Sequence, residues 1–192
     1  MPSSQAAYLA LLALVALERV FELRLSQRNA ECAVARGGIE LGREHFAWMR
    51  ALHVAFLVGC ALEVTLLGRG FDPRLGLPML ALVIAAQALR QWAIATLGSR
   101  WNVRVIVVPG EPVVTTGPYR WLRHPNYVAV ALEGVALPLV HGAWLSALLF
   151  SALNAWLLRT RIRVEERALA EHCAYEARLG ARPRFIPLRR PL

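Results

Sequence analysis

Apolar and polar residues follow one another along this chain in long blocks. Four apolar blocks, at about residues 5–25, 46–67, 77–97 and 127–158, are separated by polar segments. A helix needs about 20 mostly apolar residues to cross a bilayer, and the first three blocks have that length. We therefore predict three membrane-spanning helices in this part of the chain.

The fourth block is too long for one straight span and short for two. Pro138 and Gly142 lie near its middle, where a turn forms most readily. We predict a hairpin of two short helices, 127–141 and 142–158, each about 22 Å long. Because the hydrocarbon core is about 30 Å thick, the hairpin must tilt, thin the bilayer or pack against the other helices.

The tail from Arg159 onward is charged and predicts a cytosolic helix to about Gly180, followed by a proline-containing end. The pattern as a whole predicts an all-α integral membrane protein that forms a single domain over residues 1–192. It has about five transmembrane helices, of which the last two are the short hairpin. The polar segment before the hairpin also contains a β-branched stretch, Val103 to Val108.

Composition agrees with a membrane protein, since 57% of the residues are hydrophobic and the mean hydropathy is +0.43. All 22 basic residues are arginine and the net charge is +9. They cluster at the ends of the apolar blocks, which is the pattern of membrane topology and not of nucleic-acid binding. Their distribution predicts a protein of the cell (inner) membrane. Its N-terminus is expected outside, and its large loops and C-terminus in the cytosol. Arg19 is the first basic residue, so the first span is expected to be retained and not cleaved.

The cysteines Cys32, Cys60 and Cys173 are far apart, and their spacing matches no metal or redox motif. The histidines are scattered as well. We therefore predict no metal site. Glu63, Arg90 and Glu133 fall within apolar blocks, where a charge is costly, and are expected to face the interior of the bundle.

A first polar cluster runs from Gly117 to Tyr127. Pro125 suits the first turn of a helix, because a proline has no N–H to leave unpaired there. Arg123 and His124 then lie at the helix mouth, where free N–H groups can hold an anion. A proline-started helix with interfacial anchors explains the same residues, and spacing alone leaves both interpretations open.

A second polar cluster, Arg161 to Glu166, follows the last apolar block. Arg161 and Glu165 are four residues apart, so they share one helix face. A solvated helix with an ion pair explains this cluster as well as a functional site does.

Together, the two clusters resemble the isoprenylcysteine carboxyl methyltransferase family. The shared pattern is G-x-Y-x-x-x-R-H-P-x-Y, a short helical hairpin and R-x-x-x-E-E. The resemblance covers about residues 97–187, the catalytic half, and includes Leu97 to Asn102 and the tail from Pro183 to Pro187. It implies an enzyme that uses S-adenosyl-L-methionine (SAM) to methylate a lipophilic acceptor.

The resemblance also implies residue roles. Arg161 and Glu165 are the catalytic residues, and Arg161 faces the acceptor. Cofactor contacts are expected from Glu111, Pro112, Val113, Val114, Tyr119, His124, Pro125, Asn126, Tyr127 and Glu165. The stretch between Asn102 and Glu111 is shorter than in the family and has no glutamine, so one of the family's cofactor contacts is in doubt. A backbone contact near Ile106 could replace it. Glu133 either lines the acceptor tunnel or pairs with Arg90.

The N-terminal half resembles a bacterial branch of the family that is associated with type III polyketide synthases. The residues concerned are Ser26, Arg28, Asn29, Gly38, Glu40, Gly42, His45 and His53. This resemblance implies O-methylation of an alkylpyrone and a polyketide synthase as pathway partner.

A prenylcysteine carboxylate and a 4-hydroxy-2-pyrone are both acids, so positioning and not a strong base is expected to dominate the reaction. The acceptor would enter from the membrane lipids and SAM from the cytosol. Prenylcysteine methylation is the first alternative. The further ones are phospholipid N-methylation, an NADPH-dependent reductase on the same scaffold, and a non-enzymatic membrane protein.

Overall fold

The computed structural model describes residues 2–173 and 175–186, without the side chains of Pro2, Glu44 and His45. His45 and the end of the tail from Pro187 onward, both named in the sequence interpretation, therefore lie outside the described residues. The chain is mostly helical, as predicted. Its helices are α1 (Pro2–Ala35), α2 (Arg43–Leu66), α3 (Pro73–Leu97), α4 (Pro125–Leu139), α5 (Trp144–His172) and α6 (Tyr175–Leu179).

Two stretches of the described chain, Phe46–Leu66 in α2 and Pro73–Arg100 in and just beyond α3, are long and apolar enough to cross a membrane. The helices also expose many large apolar side chains, among them Leu66 at 76%, Leu148 at 69% and Trp156 at 66%. Apolar surface on this scale fits an apolar environment better than water. The total of about five spans stays a prediction.

The hairpin of α4 and α5 forms where it was predicted, with the turn at residues 140–143. The Glu63 carboxylate on α2 accepts hydrogen bonds from the backbone N–H groups of Leu145 (3.1 Å) and Ser146 (2.8 Å) at the start of α5. It therefore satisfies helix donors that have no partner within the helix. Gly134 lets α5 pack closely, since a Cβ there would lie 2.4 Å from the Phe150 ring. Glu63, Arg90 and Glu133 are all buried, as predicted.

Two predicted boundaries are wrong. The first helix continues past residue 25 to Ala35, because its polar extension bonds to the loop after α3. The second hairpin helix does not end at 158 but runs on to His172, so the predicted cytosolic helix is mostly the second half of α5. The short α6 is the only separate helix after α5 in the described tail.

The prediction of an all-α fold misses a small antiparallel sheet of β1 (Ile39–Leu41) and β2 (Val105–Val107). In its register Ile39 lies opposite Val107, and Leu41 lies opposite Val105. The close approach of the chain before β1 requires Gly38, where a Cβ would lie 2.6 Å from the Ala33 carbonyl oxygen. The sheet joins the α1–α2 connection to the loop after α3.

Candidate active site

A cavity of about 530 Å³ runs between the helices. Its wall includes residues from α1, α2, α3, β2, the loops on either side of β2, and the facing ends of α4 and α5. On α1 the lining residues extend from Ala16 to Ala33, which is about 25 Å of helical rise. The cavity is therefore long, and its volume lies in the range of small-molecule and cofactor sites.

The structure brings most of the predicted site residues to this one cavity. Those on its wall are Glu111, Pro112, Val113, Val114, Tyr119, His124, Asn126, Tyr127, Arg161 and Glu165. Pro125 is buried in the first turn of α4, where it starts the helix as predicted. Glu133 pairs with Arg90 at 2.5 Å and is not among the described residues that line the cavity. Of its two predicted roles, the structure therefore favours the ion pair with Arg90 over lining the acceptor tunnel.

Buried Arg161 and Tyr127 and half-buried Glu165 form a chain of hydrogen bonds on the cavity wall, which we call the Arg161 cluster. The Arg161 Nε donates to the Tyr127 hydroxyl at 2.7 Å, and that hydroxyl donates to the Glu165 carboxylate. A guanidinium has five N–H donors, and among the described residues one of them donates to an oxygen atom. A second contact, from Arg161 Nη1 to the Met49 sulfur at 3.7 Å, is weak. Arg161 therefore has strong donors left for a ligand, while its position is fixed.

The local sequence explains this arrangement. Pro125 starts α4, so Tyr127 lies in its first turn, and its ring stacks on His124 with centroids 5.2 Å apart. On α5, Arg161 and Glu165 are one turn apart and reach the same tyrosine. Gly117 permits the approach of the preceding 3-10 turn, because its φ is +53° and a Cβ would lie 2.3 Å from Thr96 Oγ1.

Glu166, next to Glu165, has a different set of partners. Its carboxylate accepts hydrogen bonds from His124 Nε2 (3.1 Å) and Arg184 Nη2 (2.5 Å). Arg123 lies 3.6 Å away. We call these residues, with the tail segment 180–186, the strap cluster. Burial alone would raise the pKa of Glu166, but the hydrogen bonds from His124 and Arg184 lower this pKa well below its usual range.

The strap also takes up backbone donors near the mouth of α4. The N–H of Arg123 donates to the Pro183 carbonyl at 3.0 Å, and that of His124 to the Arg184 carbonyl at 3.3 Å. Of the two interpretations of this cluster, the structure favours the proline-started helix over an anion site at these two N–H groups, because the folded-back tail satisfies them.

Other predicted cofactor residues have partners as well. The Glu111 carboxylate pairs with Arg36 at 2.6 Å and with Arg100 at 3.3 Å, so it holds the loop after β2 against α1. The Asn126 Oδ1 atom is buried and has no hydrogen-bond partner in the described part of the chain. Burial, together with the Glu165 charge, raises the pKa of Tyr119, so its hydroxyl stays protonated at neutral pH.

Ser26 and Asn29 contact the loop from Leu97 to Asn102, and this contact is not predicted from the sequence. The Asn29 side chain donates to the Trp101 carbonyl at 2.7 Å. The Ser26 hydroxyl donates to Asn102 Oδ1 at 2.7 Å. These bonds fix the loop that leads into β2 and thus one side of the cavity. The available signal was a polar row on the first helix, since Glu18, Glu22 and Ser26 recur every four residues across the end of the predicted span.

Comparisons with known proteins relate part of this chain to one family. Residues 79–171 match the family model of the isoprenylcysteine carboxyl methyltransferase (ICMT) family. The chain is 36% identical over 162 residues to "Uncharacterized protein YpbQ" of Bacillus subtilis, which covers 84% of this chain and 96% of that protein. It is 27% identical over 155 residues to an "Uncharacterized protein" of Haemophilus influenzae, covering 79% and 88%.

A further relative is a "Protein-S-isoprenylcysteine O-methyltransferase" of Tribolium castaneum, which is 28% identical over 114 residues, 56% of this chain and 41% of that protein. Residues 79–171 therefore match the isoprenylcysteine carboxyl methyltransferase family, and the Tribolium protein is a distant relative named for that activity. The matched family is a family of methyltransferases, which supports a methyltransferase. The family match and the two apolar helices together indicate a membrane protein.

Proposed function

We propose that this protein is a SAM-dependent O-methyltransferase that acts on a lipophilic acid within the cell membrane. The observation that carries the proposal is the Arg161 cluster, which places a buried cation with unused N–H donors on the wall of a long, mostly apolar cavity. In the proposed topology the N-terminus is outside, and the mouth of the cavity and the C-terminus are cytosolic.

SAM, when bound, supplies an activated methyl group on a positively charged sulfur. The residues at the mouth suit such a group, because the Glu165 carboxylate on the cavity wall favours a cation. The apolar residues Val113 and Val114 on the same wall suit a flat, uncharged ring. Tyr119 stays protonated and therefore acts as a hydrogen-bonding group and not as a base.

Arg161 is the residue proposed to hold the acceptor. A carboxylate or an ionised hydroxypyrone accepts charge-assisted hydrogen bonds from a guanidinium. Because the acceptor is already an anion, no residue has to remove a proton from it. The role of Tyr127 and Glu165 is to fix the orientation of Arg161. A cationic or neutral amine acceptor fits this site less well, which argues against phospholipid N-methylation.

Two acceptors satisfy this chemistry. The resemblance of the N-terminal half favours an alkylpyrone, which a polyketide synthase would supply. The Tribolium relative supports a prenylcysteine carboxylate at least as well. In both, an anionic oxygen is attached to a long apolar part that can lie in the membrane.

The test is methyl transfer by the purified protein with labelled SAM and the two acceptors in parallel, a long-chain alkylpyrone and a farnesylcysteine analogue. Label on the pyrone oxygen alone supports the polyketide branch. Label on farnesylcysteine alone supports the prenylcysteine reaction. If neither compound is labelled and SAM does not bind, the proposal is wrong.

A further inference from the structure

A second cavity lies on the outer face of α2, beside the main one. It has a volume of about 510 Å³ and forms an open groove. Its lining residues all belong to α2 and are all exposed: Ala47, Arg50, Ala51, Val54, Ala55 and Val58. The groove lies within Phe46–Leu66, one of the two stretches that are long and apolar enough to cross a membrane. In a membrane, this face of α2 contacts lipid.

The groove and the main cavity share one wall. Arg50, Val54 and Val58 line both of them. These residues are four positions apart, so they form one row along the helix. From α1, Val20 and Leu23 also line the main cavity and are exposed. The main cavity is therefore open to the side between α1 and α2, and an apolar chain in the groove has only this row to cross.

Arg50 lies at one end of the row and is free to bind a ligand. Its side chain is exposed and forms no hydrogen bond or ion pair within the part of the chain that the structure describes. Its guanidinium carbon lies 5.7 Å from the centre of the Phe46 ring, and that of Arg104 lies 5.6 Å from the same centre. Arg104 has a Glu40 oxygen at 3.7 Å. Two positive charges therefore lie near this end of the groove, and that of Arg50 is unpaired among the described residues.

Met49 relates Arg50 to the Arg161 cluster. The Arg161 Nη1 atom lies 3.7 Å from the Met49 sulfur, and Met49 directly precedes Arg50 on α2. Neighbouring Cα atoms are about 3.8 Å apart. All three residues line the main cavity. An anion held by Arg50 is therefore separated from Arg161 by Met49 on the same cavity wall.

The chemistry of the groove matches an anionic lipid, and its position favours the acceptor over a phospholipid of the bilayer. Val54 and Val58 suit an alkyl chain, and a guanidinium binds an anionic oxygen by charge-assisted hydrogen bonds. An arginine that only anchors a helix at the membrane surface has no need to line a cavity. Arg50 lines it, next to the residue that Arg161 contacts.

We infer that Arg50 and the groove on α2 form the entry position for the acceptor. The alkyl chain lies along Val54 and Val58, and Arg50 attracts the anionic oxygen. The acceptor then crosses the row into the cavity, where Arg161 holds it. This inference rests on the proposed function and names the route and the residue by which the acceptor enters. Arg50 acts on the rate of binding and not on the chemical step.

The experiment measures association and dissociation rates of a long-chain 4-hydroxy-6-alkyl-2-pyrone and an S-alkylcysteine, and their methylation with labelled SAM, for the protein in phosphatidylcholine vesicles. Arg50→Leu should lower the association rate and kcat/KM about tenfold, because a charge at the rim of a site acts mainly on association. The value of kcat should change less than about twofold. Arg50→Lys should keep most of the rate. Arg159→Leu is the control, since Arg159 is exposed on α5 and lines neither cavity.

Two comparisons separate recognition from anchoring. The neutral 4-methoxy-6-alkyl-2-pyrone should associate equally fast with the wild type and Arg50→Leu, because it offers no anion to the guanidinium. Ala51→Phe fills the groove and should slow the association of a long-chain pyrone but not of a short-chain one. Ala155→Phe, at an exposed position of α5, should slow neither.

Equal association rates for the wild type and Arg50→Leu would overturn the inference. An equal loss for the anionic and the neutral compound, which a membrane anchor predicts, would overturn it as well. Association that depends on Arg50 without any methyl transfer would support the entry position and contradict the proposed function. Methyl transfer with association rates that do not depend on Arg50 would do the reverse.

Discussion

Glu165 and Glu166 are neighbours on α5, yet they belong to two different regions of the molecule. Glu165 faces the cavity and accepts a hydrogen bond from Tyr127, which in turn binds Arg161. Glu166 points about 100° away around the helix and binds the folded-back tail through Arg184. The Arg161 cluster keeps N–H donors free, whereas the strap cluster uses its donors internally.

Glu165 and Glu166 are adjacent in one sequence motif, yet one belongs to a ligand-binding region and the other to a region that holds the structure together. A group that must bind a ligand needs polar atoms without protein partners, and such atoms cost stability. A group that holds the structure has its partners within the protein. On this basis the Arg161 cluster should control turnover, and the strap cluster should control stability.

The largest expected effect is on turnover and comes from Arg161→Ala. Removing the donor that holds the acceptor anion should lower kcat/KM about 100-fold or more. Arg163→Ala is the matched control, because Arg163 is exposed on the same helix two residues away. Turnover is measured with labelled SAM at equal concentrations of folded protein. A similar loss in both variants would remove the distinction between the two regions.

Glu166→Gln should change stability more than chemistry. It weakens the bond to buried His124 and the pair with Arg184, whose side chain is 54% exposed and therefore contributes little, so the free energy of unfolding should fall by about 2 kcal/mol. Thermal unfolding in detergent measures this change. Glu171→Gln, at an exposed position of α5, is the control. An equal melting temperature for both variants would contradict the structural role of the strap.

The stability difference between the wild type and Glu166→Gln should depend on pH in a defined way. The pKa of Glu166 is lowered in the folded protein, so its contribution to stability is complete above the pKa of an unfolded glutamate, about 4.3, and is lost as the pH falls below it. The difference in melting temperature between wild type and Glu166→Gln should therefore be constant from pH 8 to about 5 and shrink in more acidic buffer. If the difference in melting temperature disappears near neutral pH, a group other than the Glu166 carboxylate causes it.

Asn29→Ala tests whether contacts far from α5 also support the cavity. The side chain is buried and donates to the Trp101 carbonyl at 2.7 Å, so its loss should cost about 1–2 kcal/mol of stability. The loop that it holds lines the cavity, and KM for SAM should rise more than kcat falls. Arg28→Ala, exposed on the same turn, should leave both unchanged.

The smallest effect is expected from Arg36→Ala. Its ion pair with Glu111 is 2.6 Å long, but the Arg36 side chain is 40% exposed, so the pair should contribute less than about 1 kcal/mol. A larger loss of stability, measured by thermal unfolding, would mean that the ion pairs around the loop after β2 matter more than the buried bonds of Asn29.

Much of the helical part of the fold is predictable from the sequence, because long apolar blocks and turn residues give the approximate positions of α2, α3 and the hairpin. The extension of α1 to Ala35 is not predictable in this way, because its polar residues Ser26 and Asn29 form their hydrogen bonds with a loop that is distant in the sequence. The sheet of β1 and β2 is also missed. Strands of three residues carry too little pattern, and each depends on a partner about 65 residues away.

The site follows the same rule. Spacing on α5 places Arg161 and Glu165 on one face, and the resemblance relates them to Tyr127, but neither shows which glutamate meets the tyrosine. The different surroundings of Glu165 and Glu166 depend on the tail folding back over His124. Long-range contacts of this kind are not encoded in local periodicity.

The central claim is that the cavity binds SAM at its mouth and the acceptor anion at Arg161. Equilibrium binding of labelled SAM to the wild-type protein and to Arg161→Ala, each with and without the acceptor, tests this most directly. We predict that both proteins bind SAM with similar dissociation constants and that the acceptor binds only to the wild type. Absence of saturable SAM binding to the wild type, or loss of SAM binding in Arg161→Ala, would contradict the account.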